Sequence, residues 1–332
     1  MIARPTPPAS QKPPELSILV VSYRTRRLTL ECLESIYKQE PGFNYEVIVV
    51  DNASGDGSAE AIREAFPKTR LIASEENLGF AAANNLAADQ ARGRYLLLLN
   101  PDTVLQAGCL RASLACAKRH PEAGVIGART FFGDGRLNPT SVYGRPSLWG
   151  VCCKGLGLVA LGRRSRWLNP ESLGGWARDS EREVDLVNGC FMLIQTDVWR
   201  EVEGFDTSFF MYAEDWDLCL RIRGTGRTCH LCPDACLVHY GGASEPVRGD
   251  KMTRLFVANA QLFRKHWSPW KAFIGVRLLD AWAWTRMVGY TGKQRLLGDE
   301  TNSTEAWRSV WDRRRLWREP PRGNPRAEPT SF

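Results

Sequence analysis

The chain has 332 residues, of which 43% are hydrophobic and 24% are charged, and its formal net charge at pH 7 is +7. This is the composition of a globular protein with a core of its own, so it excludes a wholly disordered chain. The charge is uneven, because residues 251–332 carry 16 Lys and Arg against 7 Asp and Glu, whereas the preceding residues are close to neutral. A basic C-terminal region favours an anionic partner such as phospholipid or nucleic acid.

The ten cysteines are scattered through apolar segments of a chain too large to need disulfides for stability. Because Met1–Pro14 has no apolar core of the signal-peptide kind, we expect a reduced, cytoplasmic setting. One cluster has the residue types of a metal site, namely Cys229-x-x-Cys232 with Cys236 and either His230 or His239 nearby. A structural zinc site normally has a second, separate pair of ligands, so buried small hydrophobic residues are the favoured interpretation.

Regular structure is predicted from Leu16 onward. Residues 1–15 are proline-rich and have no apolar periodicity, so we expect a disordered lead-in. Continuous aliphatic runs predict buried strands, and apolar residues at helical spacing predict helices, the third of which is capped near Asn77. Strand and helix alternate in this order: LSILVVSY, RRLTLECLESIYKQ, YEVIVVDNAS, SAEAIREAF, RLIAS, NLGFAAANNLAADQA and RYLLLLNPD.

This alternation predicts an α/β fold with a mostly parallel, Rossmann-like central sheet. Parallel strands need crossover connections, and right-handed crossovers place helices on both faces of the sheet. In open sheets of this type, ligands bind beyond the carboxyl ends of the strands. Ser22–Tyr23, Asp51–Asn52 and Asn100–Asp102 each follow such a strand, so we expect them to converge at one edge.

The pattern changes after the first half of the chain. Residues 133–183 contain glycine, proline, tryptophan and basic residues without periodicity, which indicates a long variable segment; folding over the site is one interpretation, and the sequence assigns it no further role. A strand and a helix follow in VDLVNGCFMLIQTDVWREVEGFD. A further helix is predicted to begin with Glu214, Asp215 and Asp217, and a last strand to end at His239.

The segment from Leu262 to Tyr290 is rich in aromatic and aliphatic residues but contains several charges. A membrane-spanning helix needs about 20 apolar residues with few charges, so we do not expect one here. Two interpretations stay open: an amphipathic helix in a membrane interface, and an ordinary helix packed on the rest of the protein. The arginine- and proline-rich residues beyond it are expected to be flexible and available to lipid headgroups.

Several common signatures are absent from the sequence. No G-x-G-x-x-G follows the first strand, and there is neither a Walker loop nor a G-x-S-x-G motif. The predicted edge offers carboxylates and amides, which suit a nucleoside diphosphate held through a divalent cation. Taken singly, Asp102 could be a turn residue, the acidic residues from Glu214 a helix cap, and His239 a strand-end histidine. Their joint occurrence after matching strands favours a site.

Five ordered blocks lie between Leu16 and Ser244, namely SILVVSYRTRRLTLECLESI, EVIVVDNASGDGS, ENLGFAAANN, YLLLLNPDTVL, and GFDTSFFMYAEDWDLCLRIRGTG followed by VHYGGAS. Together these blocks resemble the family-2 glycosyltransferases, specifically the rhamnosyltransferase-like branch that builds bacterial cell-surface polysaccharides. The resemblance implies an A-type glycosyltransferase fold, here with additional C-terminal helices. It also implies inverting transfer of a sugar, rhamnose or a similar hexose, from a nucleotide-sugar donor to a hydroxyl of a lipid-linked or polysaccharide acceptor.

The resemblance further implies roles for individual residues. Asp102 would contact the cation that bridges the diphosphate of the donor, and His239 stands where some relatives supply a second metal ligand. Asp215 would be the catalytic base, and Glu214 would hold acceptor hydroxyls or orient Asp215. The implied donor-binding positions are Ser22, Tyr23, Asp51 at the nucleobase, Asn52, Asn77, Gly79, Asn84 and Asn100.

The chemistry of the reaction agrees with these roles. Departure of a nucleoside diphosphate builds negative charge on phosphate, which a cation at Asp102 would stabilise, and a carboxylate such as Asp215 can take the proton of the acceptor hydroxyl. Many relatives carry an aspartate at the position of Asn100. Because asparagine adds no charge, Asp102 is the main anionic ligand, and we expect modest affinity for the cation, Mg²⁺ or Mn²⁺.

The leading hypothesis is therefore a glycosyltransferase in the cytoplasm, at the inner face of the cell membrane. A non-catalytic sugar-nucleotide-binding or scaffold protein is the alternative, and nucleic-acid binding ranks last because the basic tail has no recognition fold. The predicted organisation is a lead-in at 1–15, a catalytic domain at 16–245 with a nucleotide-sugar half (16–130) and an acceptor half (131–245), C-terminal helices at 246–290 for which membrane contact is one of the two open interpretations, and a basic flexible tail at 291–332.

Overall fold

The computed structural model describes residues 12–241, 248–297 and 302–319. The chain divides into two compact units. The first unit comprises Met1–Val142, Ala177–Thr207 and Leu218–Ser244, and the second comprises Tyr143–Trp176, Ser208–Asp217 and Glu245–Phe332. The units therefore interleave along the chain, and the consecutive domain boundaries expected from the sequence stay a prediction.

The first half of the chain alternates strand and helix as the aliphatic runs predicted. Its strands are β1 (Leu16–Ser22), β2 (Tyr45–Asn52), β3 (Arg70–Ser74), β4 (Tyr95–Leu99), β5 (Thr103–Leu105) and β6 (Ala123–Phe131). Its helices are α1 (Arg26–Tyr37), α2 (Ser58–Ala65), α3 (Gly79–Asp89) and α4 (Cys109–Arg119).

The rest of the chain contains short strands, one long strand (β12) and the longest helices. Its strands are β7 (Leu137–Asn138), β8 (Val142–Tyr143), β9 (Arg182–Val184), β10 (Leu186–Val187), β11 (Phe191–Gln195) and β12 (Thr228–His239). Its helices are α5 (Leu148–Gly155), α6 (Thr196–Glu201), α7 (Glu214–Gly224), α8 (Arg248–His266), α9 (Pro269–Leu297), α10 (Asn302–Asp312) and α11 (Arg315–Arg318). Single turns of 3₁₀-helix occur at Pro139–Ser141, Leu158–Ala160 and Pro170–Ser172.

Ten of the described strands form one sheet in the first unit. The strand order is β3-β2-β1-β4-β11-β6-β12-β5, with β7 beside β6 and β9 beside β12. The strands β3, β2, β1 and β4 run parallel, whereas β11 is antiparallel to both of its neighbours, β4 and β6. The strand β12 is parallel to β6 and antiparallel to β5. The sheet is thus mixed but mostly parallel, which confirms the predicted α/β architecture.

The aliphatic strands form the core of the first unit. Every residue of β4 is buried, and Leu96, Leu97 and Leu98 are fully inaccessible to solvent. Burying a leucine side chain contributes about 2 kcal/mol, which explains why an uninterrupted leucine run becomes the centre of a sheet. Gly93 precedes this strand where a Cβ atom would lie 2.5 Å from the backbone nitrogen of Ser17, so only glycine fits the approach between β4 and β1.

The second unit has a separate helical core. Phe256 and Phe263 of α8 pack with Val276 and Leu279 of α9. Helix α9 starts with a proline, which is favoured at a first helical position because its missing N–H would have no partner there. Among the described helices, none is both long enough and apolar enough to cross a membrane.

The expectation of a flexible tail from residue 291 is wrong for the part that the structure describes. Helix α9 continues to Leu297, and α10 and α11 contribute Trp307, Val310 and Trp317 to the core of the second unit. The indole Nε1 of Trp317 donates to Asp280 Oδ1 at 3.0 Å. The arginine-rich composition of this stretch predicted flexibility, although its few large apolar residues are buried in the core of the second unit.

Candidate active site

The structure places three of the predicted segments at one edge of the sheet in the first unit. Ser22 ends β1 and lies opposite Asp51 near the end of β2 in the parallel register. The neighbouring β4 ends at Leu99, opposite Val20 of β1, so Asn100 follows at the same edge. The carboxyl ends of β1, β2 and β4 therefore form the rim at which open α/β sheets bind ligands.

Ser22 and Tyr23 have different environments at the end of β1. Ser22 is fully buried, and its hydroxyl lies 2.8 Å from Thr29 Oγ1 and 3.4 Å from Thr25 Oγ1. This hydroxyl cluster joins the end of β1 to helix α1, so the Ser22 side chain is engaged within the turn. Tyr23 is half-buried, and the guanidinium of Arg24 lies 5.2 Å from the centre of its ring.

Asp51 carries an unpaired acceptor. Its side chain is only 7% exposed, and its Oδ1 atom is buried with no hydrogen-bond partner in the described part of the chain. Buried polar atoms are almost always hydrogen-bonded, so such an atom calls for a partner beyond the described residues, and a bound ligand can supply it. Asp51 is therefore a ready acceptor for an N–H group of a ligand.

Asn52 fastens the loop before α3 to the end of β2. Its Nδ2 donates to Asn77 Oδ1 at 2.9 Å and to the carbonyl oxygen of Gly79 at 3.4 Å, and its Oδ1 accepts from the backbone N–H of Leu78 at 2.9 Å. Asn77 Oδ1 also accepts from the N–H of Gly79, the first residue of α3. Gly79 has φ +77°, a conformation that other residues adopt only with strain. Three predicted donor-binding residues thus form one hydrogen-bonded clamp.

Asn84 lies further along α3. It is 2% exposed, and its Nδ2 donates to the carbonyl oxygen of Phe80 at 2.9 Å, one turn earlier in the same helix. The amide thus has a partner within its own helix, and contact with a donor stays a prediction for this residue.

Asp102 and His239 form a second polar group at this edge. Strand β5 pairs with the end of β12, which places His239 opposite Thr103, and His239 Nε2 lies 3.3 Å from Asp102 Oδ1. The other oxygen, Oδ2, accepts from the backbone N–H of Gly241 at 3.0 Å. The half-buried Asn100 donates its backbone N–H to the Cys190 carbonyl oxygen at 3.1 Å. The two predicted metal ligands, 137 residues apart in sequence, are thus in contact.

The surroundings of His239 favour its positively charged form in the absence of a cation. Burial opposes this charge, but the Cys190 sulfur and the hydrogen bond to Asp102 outweigh burial and raise the pKa of His239 to about 10. A site that stabilises a proton between an imidazole and a carboxylate also has the electrostatics and the donor atoms to hold a metal ion in its place.

The predicted acidic pair begins α7 in the second unit. Glu214 and Asp215 are 7% and 8% exposed, and Asp217 is fully buried. Tyr212 and Ala213, directly before the helix, have φ values of 71° and 64°. Two consecutive non-glycine residues in the left-handed region cost about 1 kcal/mol or more each, and such strain concentrates at functional sites.

The acidic side chains of α7 have distinct roles. Asp217 Oδ1 is 2.7 Å from Lys265 Nζ and 2.8 Å from His266 Nε2, so it anchors α7 to α8. Glu214 Oε2 is buried without a hydrogen-bond partner in the described residues. Burial, reinforced by the negative charge of Asp215, raises the pKa of Glu214 well above its usual value. These surroundings therefore favour the protonated form of Glu214.

Sequence reasoning missed two contributors to the site. Cys190 and Gly241 were not singled out, although both act on the Asp102–His239 group through its charge and its hydrogen bonds. Gly241 belongs to the quoted block VHYGGAS and lies two residues after His239, so its position in the sequence could have predicted a contact with this group. Cys190 belongs to an ordinary apolar strand region, and only the insertion of β11 beside β4 brings it there.

Comparison with known proteins decides the family. The family model described as glycosyl transferase family 2 matches residues 17–200, more than half of the chain. The chain belongs to glycosyltransferase family 2. It is 30% identical over 250 residues to N-acetylglucosaminyl-diphospho-decaprenol L-rhamnosyltransferase of Mycobacterium tuberculosis, covering 68% of this chain and 77% of that protein. It is 29% identical over 232 residues to the rhamnosyltransferase WbbL of Escherichia coli, covering 67% and 82%.

Solved glycosyltransferases share the fold of this family-2 member. The mannosyltransferase PcManGT of Pyrobaculum calidifontis, solved with GDP-Man and Mn²⁺, aligns with a TM-score of 0.55 at 19% identity over 95% of this chain and 89% of that one. TarS 1–349 of S. aureus aligns with a TM-score of 0.51 at 15% identity over 91% and 80%. The A-type fold, the family and a nucleotide-sugar-dependent glycosyltransferase activity are thereby confirmed, in preference to a non-catalytic scaffold.

Proposed function

We propose that this enzyme transfers rhamnose or a similar hexose, with inversion, from a nucleoside-diphosphate donor to a hydroxyl of a lipid-linked or polysaccharide acceptor. The observation that carries the proposal is the edge of the first unit, where the unpaired Asp51 oxygen, the Asn52 clamp and the Asp102–His239 pair follow strands of one sheet in a family-2 chain. The names of the two rhamnosyltransferase relatives support the choice of sugar, and the name of the Mycobacterium tuberculosis relative supports a lipid-linked acceptor.

The donor nucleotide is assigned to the ends of β1 and β2. A nucleobase that presents an N–H to the buried Asp51 Oδ1 would satisfy an acceptor that otherwise lacks a partner in the described residues. The half-exposed ring of Tyr23 offers a surface for stacking, and the clamp of Asn52 and Asn77 orders the loop beside it. The Ser22 hydroxyl is already engaged with Thr29, so its part is to hold the turn.

A divalent cation is assigned to Asp102 and His239. Their facing atoms are 3.3 Å apart, a separation compatible with two ligands of one ion. Mg²⁺ prefers an all-oxygen shell, whereas Mn²⁺ also accepts imidazole, so this pair favours Mn²⁺. When bound, the ion supplies positive charge for the departing diphosphate, and Asn100 adds an amide without charge.

The base is assigned to Asp215 rather than Glu214. A base must accept a proton, and burial together with the charge of Asp215 raises the pKa of Glu214, which favours the form that already carries one. Glu214 can instead donate a hydrogen bond to an acceptor hydroxyl. Asp215 Oδ1 accepts from the N–H of Trp216 at 2.8 Å, which orients the carboxylate at the start of α7.

Substitution of Asp215 tests the base directly. Asp215→Asn preserves shape and is expected to lower kcat by about 10²–10⁴-fold, the usual contribution of a general base, while a nucleoside diphosphate still raises the melting temperature. Glu214→Gln is the matched control, since it replaces a protonated carboxyl by an isosteric amide and should retain most of the rate. Sugar transfer by Asp215→Asn at a near wild-type rate would show that the base lies elsewhere.

Peripheral contact with the inner face of the cell membrane is the remaining part of the proposal. The buried side of α9 packs in the second unit, and its other side exposes Trp270 and Phe273, each 64% exposed, together with Ile274, Trp284 and Val288. The exposed Arg277 lies over the ring of Phe273. Aromatic residues beside arginine are typical of helices that lie in a lipid interface. The packed side of α9 agrees with the interpretation as an ordinary helix, and its exposed side supports the proposed membrane contact.

Vesicle binding tests this surface. The double variant Trp270→Ser, Phe273→Ser should sediment less with vesicles of anionic phospholipid, because each large apolar side chain contributes roughly 1.5–3 kcal/mol when buried. Transfer to a water-soluble acceptor fragment should not change. Equal sedimentation of the variant and the parent protein would remove α9 from the proposed contact.

A further inference from the structure

A cluster of histidine and glutamate side chains lies at the opposite edge of the same sheet. His120 follows α4, Glu122 precedes β6, and His230 is near the start of β12. The strand β12 ends at His239, so at about 3.3 Å per residue His230 lies roughly 25–30 Å from the Asp102 edge. The glycosyl transfer reaction proposed above makes no use of these residues.

The candidate ligand atoms of this cluster already converge. His120 Nδ1 is 3.1 Å from Glu122 Oε1, and His230 Nε2 is 3.7 Å from the same oxygen. The three side chains offer ligand atoms that all lie within 4.8 Å of one another. In a tetrahedral site with bonds of about 2.0–2.1 Å, neighbouring ligand atoms are about 3.3 Å apart, so only small side-chain movements are needed.

The outer contacts match those of known metal-binding histidines. His120 Nε2 lies 2.8 Å from Glu181 Oε2, and Glu181 is in turn paired with Arg119. A carboxylate that accepts from the far nitrogen of a ligating imidazole fixes the ring orientation and increases its basicity. This leaves His120 Nδ1 directed at the carboxylate of Glu122, which is half-exposed to solvent and therefore open to an incoming ion.

The charges of the two imidazoles are also compatible with a shared cation. Their rings stack with centroids 4.4 Å apart, so protonating both would place two like charges in contact. A single divalent ion shared by the two rings avoids this repulsion, because each ring then offers a lone pair instead of a second proton.

A second possible ligand set is less suitable. Cys116, His120 and Glu181 also bring candidate atoms together. The contact with Cys232 and burial raise the pKa of the Cys116 thiol, whereas a metal ion needs the thiolate. The pair of cysteines singled out in the sequence does not form a site either, because Cys229 and Cys232 are three residues apart on β12 and point to opposite faces of the sheet.

We propose that His120, Glu122 and His230 form a binding site for a borderline transition-metal cation such as Zn²⁺, separate from the catalytic cation. Two imidazoles and one carboxylate are a recurring ligand set for such ions, with water completing the coordination. The ion joins the short connection between α4 and β6, which holds His120 and Glu122, to the start of β12 about 110 residues later, and so stabilises the amino edge of the sheet.

The test uses the full chain in which the proposed catalytic cation site, Asp102 and His239, has been removed by substitution. In the variant Asp102→Asn, His239→Asn, stripped of metal by a chelator, Co²⁺ should bind with one equivalent and give visible absorption bands of low-symmetry coordination, and Zn²⁺ should abolish the bands. Adding His230→Asn to this variant should remove them. Glu181→Gln, which contacts no metal in this scheme, should weaken Co²⁺ binding about 10–100-fold.

Stability measurements separate the site from a simple ion-pair network. Zn²⁺ should raise the melting temperature of the Asp102→Asn, His239→Asn protein, and the increase should vanish when His120 is replaced by Asn. Melting of each variant in chelator reports any loss of folding that is independent of metal. Absence of Co²⁺ bands, or bands and a Zn²⁺ stabilisation that survive both His120→Asn and His230→Asn, would overturn the proposal.

Discussion

The Asn52 clamp allows the sharpest test of how this fold orders its donor site. Asn52→Ala removes two hydrogen bonds of 2.9 Å and one of 3.4 Å that hold the loop from Asn77 to Gly79 against β2. At about 1 kcal/mol for each good hydrogen bond, and less for the long one, the loss is about 2–3 kcal/mol. If the donor binds only to the ordered loop, losing this free energy weakens donor binding. Each 1.4 kcal/mol corresponds to a tenfold increase in the dissociation constant of the donor.

We therefore expect Asn52→Ala to raise the KM for the nucleotide sugar at least about tenfold, with a smaller effect on kcat. Asn85→Ala is the matched control. Asn85 lies on α3, the helix that follows the clamped loop, and it makes two hydrogen bonds of 2.9 Å to the backbone of Phe205. It should lose about 2 kcal/mol of unfolding free energy without changing KM. Steady-state kinetics and urea unfolding of both variants measure this. A destabilised Asn52→Ala enzyme with an unchanged donor KM would refute the assignment of this loop.

Three further predictions concern the charged groups. Glu214→Gln should increase stability at neutral pH. Because the pKa of Glu214 is raised in the folded protein, wild-type stability falls as the pH rises above 4.5, the pKa of the unfolded carboxyl. Thermal melts from pH 4 to 8 should show that the difference in melting temperature between the variant and the wild type vanishes in acid. Asp217→Asn leaves Lys265 without its buried partner and should cost about 3 kcal/mol, seen as a lower urea midpoint, whereas an unchanged midpoint would contradict the anchoring role. His239→Asn should raise the Mn²⁺ concentration for half-maximal transfer at least about tenfold, and an unchanged metal titration would exclude His239 as a ligand.

The parallel part of the fold was predictable because its strands are buried on both faces. Continuous runs such as LSILVVS and YLLLL cannot be satisfied on a surface, so they locate β1 and β4 almost to the residue. The insertion of β11 between β4 and β6 was not predictable, because pairing partners and strand direction depend on contacts between distant segments. The helices after residue 291 were missed for a different reason. Trp307 and Trp317 pack against Phe256 of α8, and the local sequence of an arginine-rich stretch does not indicate a contact with so distant a helix.

The site was predictable where strand ends determine position. Asp51, Asn100 and Asp102 follow from the carboxyl ends of the strands, and the contact between Asp102 and His239 was anticipated only through the family resemblance. The hydrogen bonds were beyond sequence reasoning, because they depend on side-chain direction. Ser22 illustrates this limit, since a serine at a strand end can face a ligand or the following helix, and here its hydroxyl faces Thr29.

The antiparallel strand β11 has a consequence for biosynthesis. Its sheet neighbour β4 leaves the ribosome about 90 residues earlier. At a synthesis rate of 5–20 residues per second, the edge of β4 that pairs with β11 stays unpaired for roughly 5–20 s. An exposed aliphatic edge of that kind recruits other chains. A fragment that stops near residue 130 would carry this edge permanently, and we expect it to aggregate instead of yielding an autonomous nucleotide-binding half.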